Sequence, residues 1–347
     1  MTVEEKGIRS LDDLVGAGFV ASPTPALRAV VERYPVSITT AMARLIDPAD
    51  PADPIAAQFV PTEHEAEERS EERADPIGDA AHSPIPGLVH RYPDRVLLSL
   101  LHACPVYCRF CFRRGRVGPS GGVLSPDGLE KALAYIRDHH EIWEVVFSGG
   151  DPFVLSPRRL AEVVRPLNAM DHVKILRFHT RVPVVDPARV TNELVAAIKG
   201  RAPVYVLLHC NHPRELTAEA RAACARLIDG GVTMLSQSVL LKGVNDTPET
   251  LEALMRAFVE TRIVPHYLHH GDLALGTSHF RLPLARAQAL LKTLRGRVSG
   301  LCQPTYVLDI PGGYGKVPVG PTFAKAKDDG WSLQGFKGDV RFYKDCL

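Results

Sequence analysis

The sequence predicts an α/β fold: an incomplete, TIM-like βα barrel of about six units, preceded by a small helical region. Two observations carry this expectation. Apolar, β-branched runs begin near Val96, Trp143, Val173, Pro203, Thr233, Ile263 and Thr305, and the starts at 143, 173, 203, 233 and 263 are 30 residues apart. That spacing holds one strand, one helix and two short loops, and repeated units of this kind imply a parallel sheet. Residues able to do chemistry then recur where the runs end. Cys104, Cys108 and Cys111 follow the first, Ser148-Gly-Gly-Asp151 the second, His179-Thr-Arg181 the third, His209-Cys-Asn-His212 the fourth and residues 266–272 the sixth, while Gln237-Ser238 lies within the fifth. Chemistry at the carboxyl end of nearly every strand is the barrel pattern, whereas an open doubly wound sheet concentrates it at one switch point.

The elements follow in chain order. Residues 1–90 are expected to form a helical N-terminal region and linker, because Asp47-Pro-Ala-Asp-Pro-Ala-Asp-Pro54 and Glu63-His-Glu-Ala-Glu-Glu68 break up short helices near 25–33 and 37–45. The charge run over 67–73 reads as a solvated helix face. Residues 91–320 hold the barrel and residues 321–347 read as a C-terminal tail. Ser125-Pro126 and Ser156-Pro157 each offer an N-cap followed by proline at the first helical position.

Composition narrows the function classes. The 347 residues carry 41 Lys+Arg against 40 Asp+Glu, a net charge of +1, which removes the bulk electrostatic argument for a nucleic-acid or membrane-surface partner. No apolar run approaches the roughly 20 residues that span a bilayer, and residues 1–10 have no apolar signal core, so a cytoplasmic protein is expected. Seven cysteines make an odd number, which argues against a disulfide framework and leaves three clustered thiols to explain.

Those three form Cys104-Pro-Val-Tyr-Cys108-Arg-Phe-Cys111, a C-x3-C-x2-C loop. So tight a set points to a soft metal. A [4Fe–4S] cubane held by three cysteines leaves one iron open for a cofactor or substrate, a structural zinc would recruit a fourth ligand such as His102, and the bland alternative is three free thiols. Ser148-Gly149-Gly150-Asp151 alone is only a turn. In Asp309-Ile-Pro-Gly-Gly-Tyr-Gly-Lys316, no glycine opens a phosphate-loop pattern and Val317 replaces the required Ser/Thr. A lysine flanked by glycines does, however, let the backbone approach a planar ring while presenting an amine suited to Schiff-base chemistry.

The cysteine spacing resembles the radical S-adenosylmethionine superfamily, and the Gly-Gly turn resembles the one that receives the methionine amino group there. With Arg91-Tyr-Pro-Asp-Arg95, Asn211-His-Pro213, Gln237-Ser-Val-Leu-Leu241, Gly243-Val-Asn-Asp246, Asp272-Leu273 and Pro311-Gly-Gly-x-Gly-Lys316, the resemblance narrows to the lysine 2,3-aminomutase family over about 75–319. It implies a radical S-adenosylmethionine barrel with Cys104, Cys108 and Cys111 on the cluster and Ser148, Gly149, Gly150 and Asp151 at S-adenosylmethionine. It also implies Lys316 as the pyridoxal 5′-phosphate lysine, Arg113 on the substrate α-carboxylate, and Asp272 with Asp309 on a distal ammonium. Arg91, Tyr92 and Arg95 would grip pyridoxal phosphate, although Arg95 equally suits a strand-end ion pair. His209, Gln237 and Arg181 line the S-adenosylmethionine site or satisfy backbone groups, and His139, His140 and His172 read as surface residues.

The reaction so implied is 2,3-migration of the amino group of L-lysine, started when a reductant such as flavodoxin or ferredoxin reduces the cluster. A branch making (R)-β-lysine for elongation factor P is the alternative use of the same chemistry, and a non-catalytic iron–sulfur or zinc module the alternative class. The resemblance also implies a homo-oligomer. Clostridial members tie subunits with a zinc-binding, cysteine-rich extension, but here only Cys346 stands near the end and Thr247 follows Val-Asn-Asp where those relatives have cysteine, so that zinc site is expected to be absent.

Overall fold

The computed structural model describes residues 7–345. Nine strands form one curled sheet in sequence order: β1 (Leu88–Tyr92), β2 (Arg95–Leu98), β3 (Glu144–Phe147), β4 (Ile175–Thr180), β5 (Val204–His209), β6 (Thr233–Val239), β7 (Val264–His269), β8 (Thr305–Asp309) and β9 (Lys316–Pro318). Strands β2 to β8 pair in parallel, which the 30-residue period predicted for β3 to β7, while β1 and β9 add antiparallel edges. No described ladder joins β1 to β9, so the barrel is incomplete.

The crossover helices form for local reasons. Ser125 Oγ accepts the Gly128 N–H at 3.0 Å and Ser156 Oγ the Arg159 N–H at 3.3 Å, each with proline in the first turn. Helix Pro126–Asp138 buries Leu129, Ala132, Leu133 and Ile136, and helix Pro157–Asn168 buries Leu160, Val163, Val164 and Leu167, the stripes that 3.6-residue periodicity places on one face. They pack with the strand residues Leu98, Phe147, Phe178 and Val206 into one core. Burying each large apolar side chain contributes about 1.5–3 kcal/mol. That core fixes the strand ends on which the chemistry sits.

Three expectations need correction. The helix expected over 37–45 is only Thr40–Ala43, because Ile38 instead exchanges backbone hydrogen bonds with Ile8 at 2.8 and 3.0 Å. The charge run over 67–73 is not a helix, and not all of it is solvated: Glu72 is buried and its Oε2 accepts the Gly276 N–H at 2.9 Å. Just before it, Glu65 is also buried, held by Arg109 and Arg114. The segment read as a tail contains an antiparallel meander of β10 (Ala324–Lys327), β11 (Gly330–Gln334) and β12 (Val340–Lys344). The readings on residues 1–6 and on Cys346 lie outside the described residues. Among the described residues no helix is long and apolar enough to cross a membrane.

Candidate active site

The carboxyl ends of the strands surround a cavity of about 730 Å³, and its lining includes Cys104, Cys108, Cys111, Arg113, Asp272, Asp309 and Lys316. The proposed cofactor contacts Arg91, Tyr92, Arg95, Ser148, Gly149, Gly150, Asp151, His209 and Gln237 line the same cavity. Residues from widely separated parts of the chain thus meet in one place.

The cysteine loop leaves β2 and is braced by the N-terminal region. Tyr107 N–H donates to Ser37 O at 2.8 Å and Arg109 N–H to Gln58 O at 2.9 Å. The Arg109 Nε donates to both Glu65 oxygens at 2.9 and 3.0 Å, and Arg114 Nη2 donates to the same carboxylate. Burial raises the pKa of all three cysteines, Cys111 to about 11, so as free groups they are neutral thiols. At Cys108 a counter-influence is present, because Arg181 Nη1 donates to its Sγ at 3.0 Å. Among the described residues no group of side chains is gathered closely enough to hold a single metal ion as it stands. A cubane does not require that, since each cysteine ligates a different iron. His102 is exposed and outside the cavity lining, so nothing in its position supports the zinc alternative.

The Gly-Gly turn after β3 runs against this loop. Gly149 has φ +115°, and a Cβ there would lie 2.1 Å from Ser99 Oγ, while a Cβ on Gly150 would lie 2.4 Å from Ala103 O. Only glycine allows so close an approach. Asp151 has a more structural duty than its motif suggested. Its oxygens accept from Thr180 Oγ1 at 2.7 Å, Arg181 N–H at 2.7 Å and Phe153 N–H at 3.0 Å, which pins the end of β4 beside the turn. His209 and Gln237 are ladder partners across β5 and β6, and the β6–β7 register shifts between Ser236 and Gln237. Burial holds the pKa of His209 well below its ordinary value, and its Nε2 has no partner. Arg91 Nε, His179 Nε2 and Arg181 Nε are likewise buried without partners. Such orphaned polar atoms along one cavity suit a polar ligand that would satisfy them.

The opposite wall is built on β8 and β9. Asp309 and Lys316 are ladder partners, and Lys316 Nζ donates to Asp309 Oδ2, with His269 Nδ1 3.4 Å from Nζ. Burial pushes Asp309 upward, but the His269 and Lys316 contacts outweigh it and hold the carboxyl well below the usual range. Asp272 goes the other way: burial, then the Asp309 charge, raise it to about 7. The Lys316 N–H donates to Tyr92 Oη at 2.9 Å, and Arg95 lies 3.9 Å over the Tyr92 ring while also pairing with Asp94 at 2.7 Å. Arg95 is therefore engaged in a strand-end ion pair, as the alternative reading had it, while still lining the cavity.

Arg113 and Arg91 share a partner that sequence reasoning missed. Asp79 Oδ2 accepts from Arg113 Nε at 3.0 Å and Nη2 at 2.7 Å, and Oδ1 from Arg91 Nη2 at 3.1 Å. Asp79 lies in the segment read as linker, where no motif marked it. His269 was also missed as a partner of Lys316, although it lies within the histidine-rich 266–272 segment. His139 stacks on Tyr135 at 3.8 Å and His140 on His172 at 4.9 Å, away from the cavity lining.

Comparison with known proteins shows the family. Residues 98–258 match the Radical SAM superfamily and residues 291–346 match the family described as Lysine-2,3-aminomutase. The chain is 40% identical over 318 residues to L-lysine 2,3-aminomutase of Clostridium subterminale, covering 91% of this chain and 76% of that protein. It is 39% identical over 311 residues to L-lysine 2,3-aminomutase of Acetoanaerobium sticklandii, covering 89% and 75%. Glutamate 2,3-aminomutase of Clostridioides difficile is 34% identical over 297 residues, covering 85% and 70%. The chain belongs to the lysine 2,3-aminomutase family of radical S-adenosylmethionine enzymes, isomerases whose cofactors are a [4Fe–4S] cluster, S-adenosylmethionine and pyridoxal phosphate.

Proposed function

We propose that this enzyme acts on L-lysine, moving the amino group from C2 to C3 to give β-lysine. The observation that carries the reading is the charge layout of the cavity: an arginine after the cysteine loop, and two carboxylates, Asp272 and Asp309, after β7 and on β8. Two half-buried carboxylates that line one cavity and raise each other's cost of ionisation call for a cation. Lys316 supplies one charge for the pair. When bound, the cluster and S-adenosylmethionine would supply hydrogen abstraction, and pyridoxal phosphate, stored on Lys316 and passed to the substrate α-amine, would supply a π-system for the moving nitrogen.

The chain's own residues then have separable duties. Cys104, Cys108 and Cys111 hold the cluster, and Ser148, Gly149 and Gly150 line the approach to its open iron. Arg113, whose Nε and Nη2 are held by Asp79, offers its Nη1 edge to the substrate α-carboxylate. Asp272 and Asp309 take the distal ammonium of lysine. Arg91, Tyr92 and Arg95 hold the phosphate end of the pyridoxal cofactor. The one-electron donor is of the flavodoxin or ferredoxin kind. A glutamate side chain would set a third carboxylate against Asp272 and Asp309, which disfavours it.

The test uses L-norleucine, which keeps the carbon chain of lysine and lacks its ammonium. It should bind the holoenzyme at least about a hundredfold more weakly, the loss expected for one charge-assisted contact of roughly 3 kcal/mol. Equal affinity for the two amino acids would refute the acidic-pair assignment.

A further inference from the structure

A buried polar chain ends on one sulfur of the cysteine loop. Arg181 is 5% exposed at its side chain and Glu215 is fully buried, and the two pair at 2.7 Å between Nη2 and Oε2. The same Nη2 donates to Gln58 Oε1 at 2.6 Å, while Nη1 donates to Cys108 Sγ at 3.0 Å. Glu215 is itself fixed, its Oε1 accepting from Asn211 N–H at 3.0 Å, His212 N–H at 2.9 Å and Gln58 Nε2 at 3.2 Å. The Arg181 backbone N–H is held by Asp151 Oδ2 at 2.7 Å. The guanidinium is further enclosed by Phe59 and Phe110, 4.7 and 5.4 Å from its carbon to the ring centroids. Gln58, Asn211 and Glu215 are all buried.

We propose that Arg181 is a positioning residue for the iron–sulfur cluster, set by Glu215, whose charged N–H···S bond to Cys108 tunes the cluster's one-electron potential. The inference rests on Cys108 being a cluster ligand. A cation donating to a ligand sulfur stabilises the electron-rich, reduced cluster more than the oxidised one. Burial strengthens that preference, because the charge is poorly screened. Glu215 has two opposed effects: it orients the fork toward Sγ, and its own negative charge offsets part of the arginine's field. Gln58 comes from the N-terminal region, so that region acts on the cluster's electronic environment as well as on its loop.

The experiment is an EPR-monitored redox titration of the anaerobically reconstituted protein without substrate, with iron counted in every sample. Arg181→Gln removes the cation and the charged N–H, and the midpoint should move negative. Glu215→Gln keeps Arg181 and the size of the side chain but replaces one acceptor by an amide N–H and removes the compensating charge, and the midpoint should move positive. Opposed shifts at full iron content are the expected result, and loosened packing alone would not produce them. Unchanged midpoints, or shifts of the same sign, would overturn the inference. Should Arg181→Gln fail to fold, the Glu215→Gln shift decides alone, and a zero or negative shift rejects the role. Cys108→Ala is the separate control: a full cluster retained in that variant would remove the ligand assignment itself.

Discussion

Lys316 lies directly opposite Asp309 across the antiparallel β8–β9 pair, and their side chains form an ion pair with His269 beside them. A hairpin-like pairing thus delivers an amine and a carboxylate to the same cavity wall, which turns a glycine-flanked lysine into a located reagent. With pyridoxal phosphate bound, borohydride reduction and peptide mapping should find the pyridoxyl group on Lys316. Lys316→Ala should keep its iron content and lose the label. A pyridoxyl group on any other lysine would contradict this geometry.

Asp272 gives the pH dependence. Burial and the neighbouring Asp309 raise its pKa to about 7, so below that pH the ligand-free site has a neutral Asp272, and above it a carboxylate. The lysine ε-ammonium, with an ordinary pKa near 10.4, stays charged throughout this range. Capture of lysine should therefore improve as pH rises through about 7, and the limb should appear in kcat/KM, which reports the free enzyme, rather than in kcat. Asp272→Asn should flatten that limb and lower kcat/KM for lysine by roughly tenfold to a hundredfold, the value of one charged hydrogen bond.

Glu65 is the stability test. Its fully buried carboxylate is shared by Arg109 and Arg114, whose own side chains are almost completely buried. Removing one partner from a buried ion group commonly costs about 3–5 kcal/mol, since the remaining charges are left uncompensated. Glu65→Ala should lower the urea midpoint accordingly. It should also reduce iron uptake, because Arg109 lies between Cys108 and Cys111 and Arg114 follows Cys111. Wild-type iron content in a destabilised Glu65→Ala protein would show that the brace does not shape the cysteine loop.

What was legible in the sequence was what depends on short-range pattern. The parallel strands of such a sheet carry near-continuous apolar runs, and the crossovers keep a near-constant length, so their spacing exposed β3 to β7 directly. Cys104, Cys108 and Cys111 were legible because their chemistry lies in their spacing. The unforeseen residues work through partners far away in the chain. Asp79 meets Arg113 across 34 residues and Glu65 meets Arg109 across 44, with no local periodicity to announce either pairing. A charge run looks solvated until the arginines that neutralise it are known, which is why the acidic residues near 65–72 were misjudged. Strand β12 is exposed throughout and β11 is at most half-buried, so the apolar signal that marks a buried strand was weak there.

The most direct measurement of the account is an anaerobic assay with the reconstituted cluster, S-adenosylmethionine, pyridoxal phosphate and dithionite, in which 13C-labelled L-lysine and L-glutamate are supplied separately and followed by NMR. The predicted result is transfer of the amino group from C2 to C3 of lysine, with negligible change in glutamate. Rapid migration on glutamate with none on lysine would contradict the reading of Asp272 and Asp309 as the site of a distal ammonium.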